Sequence, residues 1–307
     1  MQLSIIIVNY KTPHLTLSCV KSIYDTARSI KFEIIIVDNN SQDDSEERTT
    51  SQFPNVLWIK NPVNEGFGRA NNIGIQAAKG EFVLFLNSDV TLLTNTLSES
   101  IKSIENISSP GVLGIKLLNE NGTVQDFTST IANYQKVLDL NILYSFLNRN
   151  KKYDIEAVMG SFMLIPMKVI DECGAFDPDF FMYSEEIELC NRIKNNGYSI
   201  KYLDNIVAIH KNGGSTPNRK WAEKQSYLSN SLLFFKLKGF SGFLLYHLIV
   251  LLNFATNFFL MWLKNKSFRD KYWVDIINYF SQIVNYITIP IKYKRTIGNG
   301  NLLLRAN

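Results

Sequence analysis

This 307-residue sequence predicts an α/β fold, a mostly parallel sheet flanked by helices. Three features carry the prediction. Apolar runs of strand length recur in the first third, helical patterns separate them, and polar or acidic residues stand where the runs stop. The clearest run, GEFVLFLNSDVTLL (80–93), reads as a strand over Val83, Leu84, Phe85 and Leu86 buried on both faces, hence central and parallel. It breaks off at Asn87-Ser88-Asp89.

LSIIIVNY (3–10) is the first strand, and after it Cys19, Val20, Ile23, Tyr24 and Ala27 share one helix face. FEIIIVDNNS (32–41) and VLWIKNP (56–62) are the second and third strands. Ala70, Gly74, Ala77 and Ala78 give a small-residue helix face suited to close packing on a sheet, and Leu97, Ile101 and Ile104 mark a helix after the 80–93 run. Strands joined by helical crossovers make a parallel sheet, and its ligands sit beyond the carboxyl ends of the strands. Asn9, Asp38 and Asp89 each fall at such an end and are expected to converge on one rim. Residues 119–156 are polar and weakly patterned, a loop-rich insertion. VMGSFMLIP (158–166) restores a strand, and Pro166 starts a helix to Cys173 with Gly174 just beyond it. Ser184 is placed to N-cap a further helix, with Glu185 and Glu186 in its first turn and Gly197 at its close. IVAIH (206–210) is a last strand ending on histidine.

Composition narrows the setting. Three widely spaced cysteines, Cys19, Cys173 and Cys190, fit neither a disulfide framework nor a zinc pattern, so a reducing compartment is expected. MQLSIIIVNYK enters a strand-like run with no basic n-region and too short an apolar stretch for a signal peptide, so this part is expected to stay in the cytosol. Residues 264–307 carry eight Lys/Arg against two Asp/Glu, +6 in a chain whose total is +4, which leaves −2 for the body. Before them, residues 239–263 contain no Asp, Glu, Lys or Arg and are long enough to cross a bilayer. For a single span the positive-inside tendency would put the basic tail in the cytosol and export the body, which conflicts with a cytosolic body. Helices lying in the interface, their basic residues on anionic headgroups, conflict least; a buried helix of a soluble protein is the other reading. Apolar surface on this scale is not how a basic arm reads phosphate, so no nucleic acid is expected.

The rim residues suggest chemistry without fixing it. Asn-Ser-Asp is also ordinary turn composition, and His210, before KNGGST, is either a turn residue or a ligand. Read together, an Asp oxygen, an imidazole and the oxygens of a diphosphate suit Mn2+ or Mg2+. Glu185-Glu186-Ile187-Glu188 is either a first-turn complement to the helix dipole or a source of a general base.

LSIIIVNY, IIIVDNNSQDDS, NEGFGRANNIGI and FLNSD, in that order, resemble the nucleotide-binding half of family-2 glycosyltransferases. GSFMLIP, GAFDPDFFMYSEEIELCNRI and HKNGGST resemble the acceptor half, the nearest likeness being to bacterial rhamnosyltransferases of surface polysaccharides. The resemblance spans roughly residues 3–216. It implies a GT-A fold, a Rossmann-like domain with a nucleotide-sugar-binding half (1–118) and an acceptor-binding half (119–238), followed by a membrane-apposed tail (239–307). It implies that Asn9 and Tyr10 lie beside the nucleotide and that Asp38 bonds the pyrimidine. Asn64, Gly66, Arg69 and Asn72 would line the nucleotide and ribose, with Asn87 in the position of the first acid of a DxD-like motif. Asp89 and His210 would be metal ligands, and Glu186, with Glu185 as the runner-up, the base. The reaction implied is inverting transfer, with dTDP-L-rhamnose as donor and a polyprenyl-diphosphate-linked saccharide or oligosaccharide as acceptor, at the cytoplasmic membrane face. A UDP-sugar transferase (galactose or N-acetylglucosamine) and an inactive nucleotide-binding scaffold are the alternatives.

Overall fold

The computed structural model describes residues 1–27, 30–125, 137, 155–211, 218–260 and 266–296. Most of the expected 119–156 insertion, the NGGST of the HKNGGST ending and positions 261–263 of the apolar segment lie outside the described residues. The chain divides into two compact units: 1–129 with 155–177 and 189–217, and 130–154 with 178–188 and 218–307.

In the first unit, strands β1 (Leu3–Asn9), β2 (Phe32–Asp38), β3 (Leu57–Lys60) and β4 (Phe82–Asn87) alternate with helices α1 (Pro13–Thr26), α2 (Ser45–Thr50) and α3 (Phe67–Ala77). Then come β5 (Val90–Leu92), α4 (Thr96–Glu105), β6 (Pro110–Leu118), β7 (Phe162–Pro166), α5 (Met167–Cys173), α6 (Glu185–Asn195, which begins in the second unit) and β8 (Ser199–His210). The strands form one sheet in the order β3-β2-β1-β4-β7-β6-β8-β5. β1 runs parallel to β2 and β4, β2 to β3, and β6 to β8. β7 is antiparallel to both β4 and β6, and β5 is antiparallel to β8. The expectation that the 83–86 strand has parallel neighbours is therefore corrected on one side: β4 pairs parallel with β1 and antiparallel with β7. An apolar run reports burial on both faces and is blind to strand direction, so this detail was not in the pattern.

The apolar runs build the core. Ile5, Ile7, Ile34, Ile36, Leu84 and Leu86 lie in one cluster with Cys19, Val20 and Ile23 of α1, the helix face foreseen from spacing. The small-residue face of α3 has a concrete cause: a Cβ added at Gly74 would stand 2.5 Å from Ile6 Cγ2 on the sheet. All three cysteines are buried and free of disulfides.

The second unit holds α7 (Arg219–Leu260), α8 (Lys266–Ser281) and α9 (Ile283–Thr296). Gly239 kinks α7 at φ 68, ψ −166, a conformation open to glycine and strained for other residues. Apolar residues such as Leu228, Leu232, Phe243 and Val250 pack inside together with Tyr246, Tyr279 and Tyr286. Gln225, Ser231, Asn253, Asn278 and Gln282 are buried as well. Ser231 Oγ lies 2.8 Å from His247 Nε2, and His247 Nδ1 lies 2.6 Å from the Tyr279 hydroxyl. On the outside, Leu248, Leu252, Phe258, Ile277, Val284 and Ile287 are exposed, Val284 to 69%. α7 is long and apolar enough to cross a membrane, and 33% of its most apolar stretch is buried within the protein.

Candidate active site

The parallel register between β1 and β2 sets Asn9 opposite Asp38. Asn9 Nδ2 donates to Asp38 Oδ1 (2.7 Å) and to Ser41 Oγ (3.0 Å). Asp38 also accepts from the Ser41 hydroxyl at Oδ1 and from the Ser41 N–H at Oδ2 (3.1 Å). Asn9 Oδ1 in turn accepts from Thr12 Oγ1 (3.0 Å) and Thr16 Oγ1 (2.6 Å), and Thr12 Oγ1 lies 3.2 Å from Ser88 Oγ, next to Asp89. The strand ends are thus joined by a continuous polar network. Asn9, Asp38 and Ser88 are all buried. Tyr10 stands outside it, 37% exposed, with the Lys11 ammonium 5.5 Å from its ring centroid.

A second cluster forms beside β2. Asn39 Nδ2 donates to Asn64 Oδ1 (3.1 Å) and to the Gly66 carbonyl (2.8 Å), and Asn39 Oδ1 accepts from Asn61 Nδ2 (3.1 Å) and the Glu65 N–H (3.3 Å). Asn39, Asn61 and Ser41 fix the geometry of the expected residues, yet the sequence reading named none of them. The Asn-rich DNNS turn after the second strand was the signal for Asn39 and Ser41, while Asn61 follows the third strand. Gly66 precedes α3 at φ 85, and Arg69, in its first turn, lies 3.9 Å from Glu65. Asn72 has both ends of its amide on the Phe176 backbone, donating to its carbonyl (2.8 Å) and accepting from its N–H (3.0 Å). At the end of β4, the Asn87 N–H donates to the Ser161 carbonyl (3.1 Å).

The antiparallel pairing of β5 with β8 sets Val90 opposite His210, and the Lys211 N–H donates to the Asp89 carbonyl (2.9 Å). That register brings His210 Nε2 to 3.3 Å from Asp89 Oδ1, both side chains being almost fully buried. On the far side of the ring His210 Nδ1 meets Gln125 Oε1 at 2.7 Å. Among the described residues no three His, Cys, Asp or Glu side chains gather as a metal cluster. Asp89 and His210 form a two-ligand set, a carboxylate oxygen beside an imidazole nitrogen. Such a set fits a divalent cation whose remaining ligands come from a diphosphate and water.

In the second unit, Tyr183 and Ser184 both adopt φ 69 immediately before α6. Two successive left-handed residues other than glycine are strained and persist only where the surroundings hold them. Here Ser184 Oγ donates to Asn230 Oδ1 (3.0 Å), Ser229 Oγ donates to the Met182 carbonyl (2.7 Å), and the Ser184 carbonyl accepts from the Glu188 N–H (3.0 Å). Glu185 and Glu186 follow. Glu185 is 4% exposed, and its Oε2 has no hydrogen-bond partner among the described residues. Burial first, then the charge of Glu186, push its carboxyl well above the usual carboxylate range. Glu186 retains partial exposure. Burial pushes it up to about 7, opposed by hydrogen bonds from the N–H groups of Glu186 and Ser184. A carboxylate poised near neutrality can take and return a proton.

The chain has relatives among known proteins. The glycosyl transferase family 2 model matches residues 4–174. The low-salt glycan biosynthesis hexosyltransferase Agl10 of Haloferax volcanii is 29% identical over 213 residues, 68% of this chain and 66% of that protein. The N-acetylglucosaminyl-diphospho-decaprenol L-rhamnosyltransferase of Mycobacterium tuberculosis is 22% identical over 239 residues, covering 70% of this chain and 77% of that one. Among solved structures, the mannosyltransferase PcManGT of Pyrobaculum calidifontis, in complex with GDP-Man and Mn2+, superposes with a TM-score of 0.59. It does so at 14% identity, over 95% of this chain and 86% of that one. At that identity the likeness speaks for the fold, a mixed sheet flanked by helices of the GT-A kind. With more than half of its length matched by the family model, the chain belongs to glycosyl transferase family 2.

Proposed function

We propose that the protein transfers L-rhamnose from dTDP-L-rhamnose, with inversion, to a polyprenyl-diphosphate-linked saccharide in the making of a surface polysaccharide. The observation that carries this is the polar rim: Asp38 bonded to Asn9 on one side, Asp89 3.3 Å from His210 on the other. Asn9 and Asp38, with Asn64, Gly66, Arg69, Asn72, Asn87 and Tyr10, bind and orient the nucleotide. Asp89 and His210 would hold Mn2+ or Mg2+, which when bound neutralises charge on the leaving diphosphate. Glu186 takes the proton of the acceptor hydroxyl as that oxygen attacks the anomeric carbon. The bond from that carbon to the diphosphate breaks, and the nucleoside diphosphate leaves from the opposite face, so no covalent intermediate forms.

The choice of rhamnose and of a polyprenyl carrier draws support from the mycobacterial relative, whose name contains both. The membrane part of the proposal draws support from the second unit. Exposed apolar side chains occur on α7, α8 and α9 alike. At about 1.5 Å per residue, the 16 and 14 residues of α8 and α9 give about 24 and 21 Å, short of a hydrocarbon core of about 30 Å. Helices lying in the interface at the cytoplasmic face accommodate all three faces at once. Carbonate washing of membranes should release the protein; retention in the pellet would replace this arrangement by a span.

Calorimetric titration of dTDP, UDP and GDP, each with and without Mn2+, tests the donor. Metal-dependent preference for dTDP that disappears in Asp89→Ala is the expected result. Preference for UDP would keep the chemistry and overturn the sugar. Absence of metal-dependent binding to any of the three would overturn the enzyme reading in favour of a scaffold.

A further inference from the structure

Gln125 is 4% exposed and belongs to no strand or helix, yet its amide is fully committed. Its Nε2 donates to the His210 backbone carbonyl (2.7 Å) and to Asn119 Oδ1 (2.8 Å), and its Oε1 lies 2.7 Å from His210 Nδ1. The amide's orientation follows from chemistry. A backbone carbonyl only accepts, so the Gln125 atom 2.7 Å from it is the NH2. The other atom is then the carbonyl oxygen, which also only accepts, so His210 Nδ1 carries the hydrogen between them. In a neutral imidazole the second nitrogen is then a bare lone pair, and that nitrogen, Nε2, faces Asp89 Oδ1 at 3.3 Å.

We propose that Gln125 is a positioning residue that fixes the Nδ1–H tautomer of His210 and so presents an unprotonated Nε2 beside Asp89, ready to bind a divalent cation. The inference rests on the reading of Asp89 and His210 as cation ligands. The alternative tautomer would place an N–H there, which donates well to Asp89 and leaves no lone pair for a metal. Gln125 thereby selects between a closed histidine–aspartate hydrogen bond and an open ligand pair. The same amide holds the His210 carbonyl, so ring and backbone are gripped by one side chain. The Gln125 N–H also donates to the Leu117 carbonyl on β6 (2.9 Å), which roots the device in the sheet.

The test uses the full chain, labelled with 15N-histidine. The sequence has three histidines, so long-range 1H–15N spectra can be assigned by loss of the His210 signals in His210→Asn. In metal-free wild type under alkaline conditions, the His210 nitrogen shifts should report Nδ1–H. Gln125→Met should yield a mixed or Nε2–H ring and weaken Mn2+ binding by about 10- to 100-fold, read by paramagnetic titration with dTDP present. Gln125→Glu restores an acceptor for Nδ1–H and should keep the wild-type tautomer with Mn2+ affinity within several-fold. An Nε2–H ring in wild type overturns the proposal, as does a folded Gln125→Met protein that keeps both the tautomer and the affinity. Equal loss in Met and Glu variants with an unchanged tautomer also overturns it, because that pattern belongs to a purely structural residue. The tautomer is read without metal or nucleotide, so it can fail or hold independently of the function proposed above. Wild type that binds no Mn2+ at all would count against that function and leave the tautomer result to decide the role of Gln125.

Discussion

The two units hold their carboxylates in opposite ways. At the rim of the sheet, Asp38 is surrounded by donors: an Asn9 amide, a Ser41 hydroxyl and a Ser41 N–H. At the start of α6, burial opposes ionisation of both Glu185 and Glu186, and the charge of Glu186 opposes that of Glu185 further. Donors stabilise a fixed negative charge, whereas desolvation brings a carboxyl to the point where gaining and losing a proton are nearly equal. The contrast separates a carboxylate held by hydrogen-bond donors from carboxylates held by burial. It also assigns the strained Tyr183-Ser184 turn to the second class, since strain is tolerated where a side chain has to be held against its own preference.

The largest expected effect comes from removing the proposed proton acceptor. Glu186→Gln is expected to lower kcat by about a thousandfold with KM nearly unchanged, the usual range for loss of a general base. Glu185→Gln should cost less, and steady-state kinetics of the two singles and the double would rank them. Activity preserved in the double variant would remove both from the chemistry and collapse the contrast. In wild type the rate should rise with pH through about 7 as Glu186 loses its proton, and this limb should vanish in Glu186→Gln.

Next in size is the rim carboxylate of the first unit. Asp89→Asn keeps the shape of the side chain and weakens the proposed ligand pair, and about a hundredfold loss in kcat/KM is expected. A rate insensitive to this substitution would mean that the rim carboxylate is structural. Asp38→Asn should act more weakly on the reaction. It turns one acceptor oxygen against the donors it now meets, so nucleotide binding should fall by about tenfold and stability by about 1–2 kcal/mol. Calorimetry and chemical denaturation give the two numbers; a large kinetic loss with unchanged nucleotide affinity would contradict a binding role.

Much of the first unit was legible because an apolar run bounded by polar turns is a local signal. The 3–10, 32–41 and 80–93 runs became β1, β2 and β4, and Asn9 and Asp38 met in register. β6 (Pro110–Leu118) was not assigned because its glycines resemble punctuation. Gly114 is in fact a close approach, where an added Cβ would stand 2.6 Å from Val158 Cβ. β8 was read as five residues and has twelve, its first half being too polar to announce itself before pairing with β6 across a register shift. Gln125 was invisible for a different reason. Its role depends on β6 and β8 lying side by side so that Gln125 meets His210, 85 residues away in the chain, and no periodicity encodes that. The second unit buries amides and hydroxyls beside its apolar core and exposes leucines on its outside, so its composition suggested a membrane neighbour while its internal bonding stayed hidden.

The smallest effect is thermodynamic, and it tests the contrast without substrate. Glu186 holds its proton more tightly in the folded protein, at about 7, than at the ordinary 4.5 of an unfolded chain. Between those values the folded state carries more protons than the unfolded state, so stability falls as pH rises through that interval and levels off above it. The full shift corresponds to about 3 kcal/mol, and the partial exposure of Glu186 reduces the expected cost to about 1–2 kcal/mol. Glu186→Gln, neutral at every pH, should therefore be more stable than wild type at pH about 8 and nearly equal to it at about 4.5. Detergent-solubilised protein followed by urea denaturation at both pH values would measure the difference. A variant less stable than wild type at the higher pH would mean that Glu186 is an anchored charge. The proton-accepting role would then have to pass to Glu185, whose more complete burial disfavours its ionised form even more.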